Sequence, residues 1–467
     1  TANLPDPTIA LPEKYFNTVL YEGNGGGQRV GQFQPITETY SVPNSVIINN
    51  ADSAYLEKTF STSESTLTAW SFSAWVKRSL LADEQWIFQA GTTSANLEYL
   101  RFTSSDTLEY KLILSSSVDA NYITNQVFKD TSSWMHIYAY RSSTTFKLYI
   151  NGTEVTAFST SNAPGSSDGM FGKNVRHRIG ADFSTPANFL GAYLAEMYFI
   201  PGAAQAVSDF GQLDASTNRW IPKDASGLTF GTNGFYLDME TAPGTGSGAG
   251  TDSSGNGNNF TESGLAASDQ VTDSPTDNFT TLNPLINSGV TLSSGNLTFT
   301  GGSGDDAVPA TIPLKTGKWY WEMDLVSWSS SVSVVFGGGI VDMDAPYSEM
   351  QAHYAGYAAA LPGLQYPYSS SQTLAFDKAG NNVSVTGLGA CANGDIIQFA
   401  MDLDNGALYI GRNNTWLNSG DPESGSSRTG SVFPVTPNVN GWAPVANSRG
   451  SSYELQFNFG QSGGFTY

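Results

Sequence analysis

The acidic side chains are where chemistry would be sought first. Glu322-Met323-Asp324 lies in the alternating segment GKWYWEMDLVSW, so both carboxylates project from one face of a strand. Retaining glycoside hydrolysis needs a nucleophile and a separate acid/base carboxylate facing each other across the scissile bond. The spacing Glu-x-Asp-x-x-Glu would supply them on one strand face, but the third position here is Ser327. Asp238 and Glu240 share that deficiency. The histidines, His136, His177 and His353, lie far apart in sequence, and Cys391 sits in a Gly/Ala turn. Nothing in that spacing points to a nucleophile–base pair. The segment Asp402-Leu403-Asp404-Asn405-Gly406 resembles half a calcium loop but lacks its trailing Glu, and Asn-Gly accounts for it as a hairpin turn. The triple glycines at 25–27 and 337–339 open no helix, so they suit turns or close strand packing rather than phosphate. The expectation is a protein without a catalytic set, without a resident metal and without a cofactor; calcium has no clear motif.

A different chemistry is offered by APYSEMQAHYAGYAAALPGLQYPYSSS at 345–371. Tyr347, Tyr354, Tyr357, Tyr366 and Tyr368 give rigid, amphipathic contact area, a ring face for a sugar or protein and a hydroxyl for a partner. These five are the expected ligand-binding residues, although two or three could instead plug the end of a sandwich. Trp416 and Trp442 are weaker candidates, because either fits a core.

The elements that must hold such residues are strands. Charged residues make up only 13% of the 467, about half the usual share, and Ser, Thr, Asn and 49 glycines stand in their place. Aromatics at 12% supply real cores, which excludes global disorder. From Ser41 onward short alternating runs follow one another: NSVIIN, WSFSAWVKR, EQWIFQAG, LEYLRFT, LEYKLILS, WMHIYAYR and TTFKLYINGTEV. In FKLYI, Phe146, Leu148 and Ile150 share one face and Lys147 and Tyr149 the other. Asn151-Gly152 is a hairpin turn. Residues 1–40 are turn-rich with one short strand, YFNTVLY, and read as an extended arm that docks elsewhere. Residues 241–277 are dense in Gly, Ser, Asn and Asp and mark a linker. A second strand-rich block begins near Leu292. The expected division is an arm at 1–40, a sandwich at 41–215, a linker region at 216–288 and a second sandwich at 289–467.

The first block resembles laminin-G/concanavalin A-like modules through SAYLEKTF, SFSAWVKR, SSWMHIYAYRSSTTFKLYINGTEV and FLGAYLAEMYFIPG. The last of these is the family's closing strand, and Glu196 is its acidic residue. The pair of acidic ligands found in the calcium-binding versions has no counterpart. The second block is similar to SPRY domains through GKWYWEMDL, GGGIVD, GDIIQFAMDLDNGALYIGRNN and ELQFNFGQ. Together these imply an all-β chain of two antiparallel jelly-roll sandwiches in tandem with an extended N-terminal arm.

The arm, the two modules and DSSGNGNNFT as a set resemble structural proteins of tailed bacteriophages. That implies a virion protein, a tail fibre or capsid decoration, contacting host surface glycans or proteins. The arm would then hold other virion proteins, and a homo-oligomer is expected. The net charge of −21 opposes nucleic acid and anionic membranes. No apolar run is long enough to span a bilayer, and TANLPDPT lacks the features of a signal peptide. One cysteine suits folding in a reducing cytoplasm, so the expected place is the virion surface after synthesis in a host cytoplasm. The competing readings are a carbohydrate-active enzyme or its carbohydrate-binding accessory, and a cellular adhesin.

Overall fold

The computed structural model describes residues 40–286, 289–302, 305–328, 335–345, 392–449 and 453–467, with the backbone of the short strands Asn17–Thr18, Leu20–Tyr21, Gly363–Gln365, Ala375–Lys378 and Asn381–Ser384. Strands and short 3-10 turns are the only regular elements among these residues, so the all-β expectation holds. None of them forms a helix long and apolar enough to cross a membrane.

Period-two alternation builds the first sandwich. In Ala69–Arg78, Trp70, Phe72, Ala74 and Val76 enter the core, while Ser71, Ser73, Trp75 and Lys77 face the other way. This strand lies in an eight-stranded sheet, sheet I. Its order is Thr153–Glu154, Thr145–Ile150, Met135–Ser142, Ala69–Arg78, Ala192–Pro201, Ser45–Ile48 and Gln270–Val271, with Phe235–Leu237 also on Ala192–Pro201. Sheet II runs Phe158–Asn162, Ser117–Val127, Thr107–Leu114, Asn96–Phe102, Gln85–Thr93, Arg176–Ile179, Tyr55–Thr59 and Thr261–Ser263. Between them Phe88 stacks on Phe72 at 5.3 Å and on Phe171 at 4.6 Å. Phe146, Leu148 and Ile150 are buried in this core as their spacing requires. Asn151 and Gly152 both have positive φ, 49° and 74°, the geometry of a type I′ hairpin turn.

Glu98 is the unexpected member of the core. Its carboxylate accepts from Trp70 Nε1 at 3.0 Å, Tyr110 Oη at 2.8 Å and the amides of Met170 and Phe171 at 2.6 and 2.9 Å. It thereby pins the 165–172 loop beneath the sandwich, a case of a buried charge kept by complete hydrogen bonding.

The second block pairs a sheet containing Lys318–Trp328, Ile396–Asp402, Ala407–Arg412 and Tyr453–Asn458 with one containing Asp305–Pro309, Val335–Asp342 and Trp442–Arg449. Trp321 stacks on Phe399 at 5.2 Å in its core. The Asp402–Gly406 segment is the expected hairpin turn: Asn405 donates to both Asp402 oxygens and Gly406 N to the Asp402 carbonyl.

Residues 216–288 do not act as a spacer. Phe235–Leu237 and Gln270–Val271 extend sheet I, and Thr261–Ser263 extends sheet II. The glycine-rich turn is tied by its own polar groups. Asp252 accepts from the amides of Tyr236, Ser254 and Asn258, while Asn256 and Asn258 donate to carbonyls of residues 231–234. Asx turns and flexible linkers draw on the same residue types, which is why composition pointed to a linker.

The segment then locks the two sandwiches together. Lys77 and Asp273, both 0% exposed, form an ion pair at 2.7 Å. Lys77 also donates to Asn278 Oδ1 at 2.9 Å and Phe279 O at 2.5 Å, and Trp134 Nε1 donates to Asp273 at 2.8 Å. Burial lowers the ammonium and raises the carboxyl from their ordinary values, while their mutual attraction opposes both shifts. Around this pair Ile47, Trp75, Trp134 and Tyr193 share one buried cluster with Leu297, Phe299, Trp321 and Phe459 of the second sandwich. Of the arm, Asn17–Thr18 pairs in parallel with Trp319 and Tyr320, and Leu20–Tyr21 pairs with Asn278–Phe279. These arm strands therefore add to the chain's own sheets.

Candidate functional site

The five tyrosines expected to bind ligand, Tyr347, Tyr354, Tyr357, Tyr366 and Tyr368, lie outside the described residues, as do His353 and Cys391. The other candidates can be placed.

Glu322 is 2% exposed, and both its oxygens are taken. Tyr320 Oη and Tyr467 N donate to Oε1 at 2.9 Å each, and Thr466 N donates to Oε2 at 2.8 Å. Phe465 closes edge-on over Tyr320 at 4.6 Å. This carboxylate anchors residues 465–467. Asp324 is raised from its ordinary value by burial first and by Asp395 second. Asp238 is engaged by Glu240 N and Ser253 Oγ at 3.0 and 2.5 Å. Trp442 is core and donates to Thr436 O at 2.8 Å; Trp416 packs half-buried against the Tyr320 cluster. Gly460-Gln461-Ser462-Gly463-Gly464 has Gly-x-Ser-x-Gly spacing, but Ser462 is exposed in a turn and residues 463–467 are not helical, whereas a nucleophile elbow leads straight into a helix.

One pair that sequence spacing did not reveal resembles half of a hydrolytic triad. Ser73 Oγ lies 2.8 Å from His136 Nε2, brought together because Ser73 and Tyr138 are opposed in register. Its polarity is reversed. Trp220 Nε1 donates to His136 Nδ1 at 3.0 Å, so Nδ1 carries no proton and Nε2–H donates to the serine. A base must accept from its nucleophile and be oriented by an acceptor at Nδ1. This histidine does neither.

Glu196 occupies a bulge between Ala195 and Tyr198 at φ +51°. Tyr198, Tyr40 and Tyr236 donate their hydroxyls to it at 2.5, 2.8 and 2.8 Å. Burial pushes it up to about 7, and the three hydroxyls pull it back. Its hydrogen bonding is internal: the group fastens Tyr40, where the arm meets the sandwich, to the closing strand.

The face of sheet II turned away from the core is built differently. Register sets Glu57, Arg178, Gln89, Tyr99, Lys111 and Asn121 in one row across adjacent strands. Next to it Trp86 lies opposite Arg101 and Arg101 opposite Glu109. Trp86 and Tyr99 pack at 4.3 Å, and the Arg101 guanidinium covers them at 5.5 and 5.0 Å. Phe183 joins Trp86 at 6.0 Å from a loop held by Arg178, which donates to Asp182 O and Ser184 O at 2.7 and 2.8 Å.

Carboxylates and cations alternate across the face. Arg101 pairs with Glu84 and, at 2.6 Å, with Glu109; Arg178 pairs with Glu57 at 2.7 Å. At the centre Gln89 is 0% exposed, yet neither Nε2 nor Oε1 has a hydrogen-bond partner. Asn121 Oδ1 on the same face is also buried without a hydrogen-bond partner, and Arg176 Nε makes no hydrogen bond but lies 3.7 Å from Glu57. An unmade bond at a buried amide costs about 1–3 kcal/mol, so these groups take a partner from ordered water or from a ligand. No local motif announces this face, since it draws on strands from residue 55 to residue 178. Only the in–out alternation within each strand was a usable signal.

Residues 50–206 match the family described as the concanavalin A-like lectin/glucanases superfamily, laminin G type. No curated protein sequence matches the chain. Among solved structures, the chain is similar to the SPRY domain of human HERC1 at 13% identity, covering 38% of this chain and 96% of that one with a TM-score of 0.28. It is also similar to a carbohydrate-binding protein from Bacteroides ovatus at 16% identity, covering 49% and 60% with a TM-score of 0.34. Domains LG4-5 of the mouse laminin alpha1 chain match at 8% identity over 92% of each chain, with a TM-score of 0.28. The first sandwich therefore has the concanavalin A-like, laminin-G fold.

Proposed function

We propose that this chain is a non-catalytic binding protein whose first sandwich takes a carbohydrate on the outer face of sheet II. The observation that carries the reading is Gln89, a buried amide with both hydrogen-bonding groups unused amid arginines, carboxylates and aromatic rings. Carbohydrates present the alternating donors and acceptors such a face would satisfy, and the matched superfamily is named for lectins and glucanases. The closed environment of Glu322 and the reversed Ser73–His136 pair speak for binding without turnover. The setting we propose is the surface of a virion, as a tail fibre or capsid decoration that meets host glycans. In this reading the tyrosine-rich segment 345–371 forms a second contact, the part of the N-terminal arm outside its two paired strands reaches neighbouring virion proteins, and copies of the chain associate.

Purified protein incubated with laminarin, agar or host capsule will release no reducing ends above a blank. Release that disappears in Glu322→Gln would make the chain a glycan-active enzyme and overturn the non-catalytic reading.

A further inference from the structure

We propose that the sheet II face selects a neutral, polyhydroxylated sugar and rejects acidic ones, an inference that rests on the binding reading above. The cations there are matched by carboxylates of the same face. Arg101 is held by Glu84 and Glu109, Arg178 by Glu57 at 2.7 Å, Arg176 lies 3.7 Å from Glu57, and Lys111 lies 3.8 Å from Glu109. A sulfate or uronate would have to break one of these pairs and then sit beside the released carboxylate. A quaternary ammonium finds no ring face, because Arg101 already covers Trp86 and Tyr99.

A hydroxyl group meets neither obstacle. It accepts from an arginine N–H and donates to a carboxylate oxygen without disturbing the ion pair between them. Gln89 supplies a donor and an acceptor side by side on one planar amide, the complement of two neighbouring hydroxyls. Asn121 Oδ1 adds a further unpaired acceptor along the same row. Lys111, whose side chain is 24% exposed and 3.8 Å from Glu109, stands in the same row beyond Tyr99 and offers a further donor to a hydroxyl. An amide built into a dry face discriminates strongly, because a ligand lacking the matching hydroxyls leaves it unpaired.

The experiment is calorimetric titration of the full chain at 50 and 500 mM NaCl with laminarin, mannan, xylan and galactan oligosaccharides, and with alginate oligosaccharides and dextran sulfate. At least one neutral probe will bind, with Kd changing less than about twofold between the two salts. Gln89→Leu will weaken that binding at least about tenfold, two hydrogen bonds being lost, with an unchanged or higher Tm. Should Gln89→Leu fail to fold, Gln89→Met carries the same expectation. Binding confined to the acidic probes and weakened by salt would overturn the neutral-sugar inference and leave the binding reading standing. Neutral binding that Gln89→Leu leaves intact would also overturn it. Retention of no probe in either class would contradict the inference and the binding reading together.

Discussion

Asp273→Ala will destabilise the folded chain by about 3–5 kcal/mol, the cost of leaving one member of a buried ion pair uncompensated. Without the carboxylate the Lys77 ammonium stays fully buried, with two neutral acceptors and only the more distant Asp130 as counter-charge, and the Trp134 indole N–H loses its acceptor. The effect reaches beyond the pair. Residues 271–279 carry the Thr272 N to Gln461 O bond at 2.9 Å and the Asn278 bond to Ser132 O at 2.9 Å, so loosening them loosens the contact between the sandwiches. Trp75 and Trp134 lie in the shared cluster and report the change by fluorescence. In urea titrations Asp273→Ala will unfold at a clearly lower midpoint, whereas the double change Lys77→Met with Asp273→Leu will recover most of the loss. A single variant within about 1 kcal/mol of the parent would mean that the pair is dispensable.

Acidification from pH 7 to 4 will act on stability through two opposing sets of groups. Burial lowers His136 to about 3 and His177 to about 4, so the folded state refuses protons that the unfolded state accepts below about 6.5. Their contribution is whole above that pH and falls away beneath it, by roughly 6 kcal/mol for the two at pH 4. Glu196 runs the other way. Raised to about 7, it holds its proton in the fold between pH 4.5 and 7. It therefore stabilises the fold at low pH, and that contribution fades as the pH rises through 7. It offsets the histidines by about 3 kcal/mol over the same interval. Urea midpoints at pH 7, 5.5 and 4 separate the two sets. His136→Gln will remove most of the net acid loss, since that histidine carries about half of the roughly 6 kcal/mol and Glu196 offsets the other half, and Glu196→Gln will steepen the loss. Parallel profiles for parent and variants would show that neither group titrates with folding.

The strands and hairpins were legible because their determinants are local. Phe146, Leu148 and Ile150 declare their face by spacing alone, and Asn151-Gly152 declares its turn by the φ values those residues tolerate. The 216–288 region misled because its glycines and asparagines serve Asx turns bound to carbonyls near residues 231–234, which composition cannot distinguish from slack chain. Lys77 and Asp273 are 196 residues apart, and each alone looks like surface charge. The sheet II row was out of reach for the same reason. Gln89 and Arg178 become neighbours only once Gln85–Thr93 pairs with Arg176–Ile179, a non-consecutive pairing that no turn signal encodes. The Ser73–His136 pair needs register too, and its chemistry is decided by Trp220, a third residue 84 positions further on.

Ligand held on the outer face of sheet II will leave its mark in hydrogen–deuterium exchange of the full chain with and without a polysaccharide that it retains. Slower amide exchange is expected in Gln85–Thr93, Asn96–Phe102, Thr107–Leu114 and Arg176–Ile179, together with the 182–189 loop. Protection confined to residues 345–371, with sheet II exchanging as in the free protein, would contradict it and move the site to the tyrosine-rich segment.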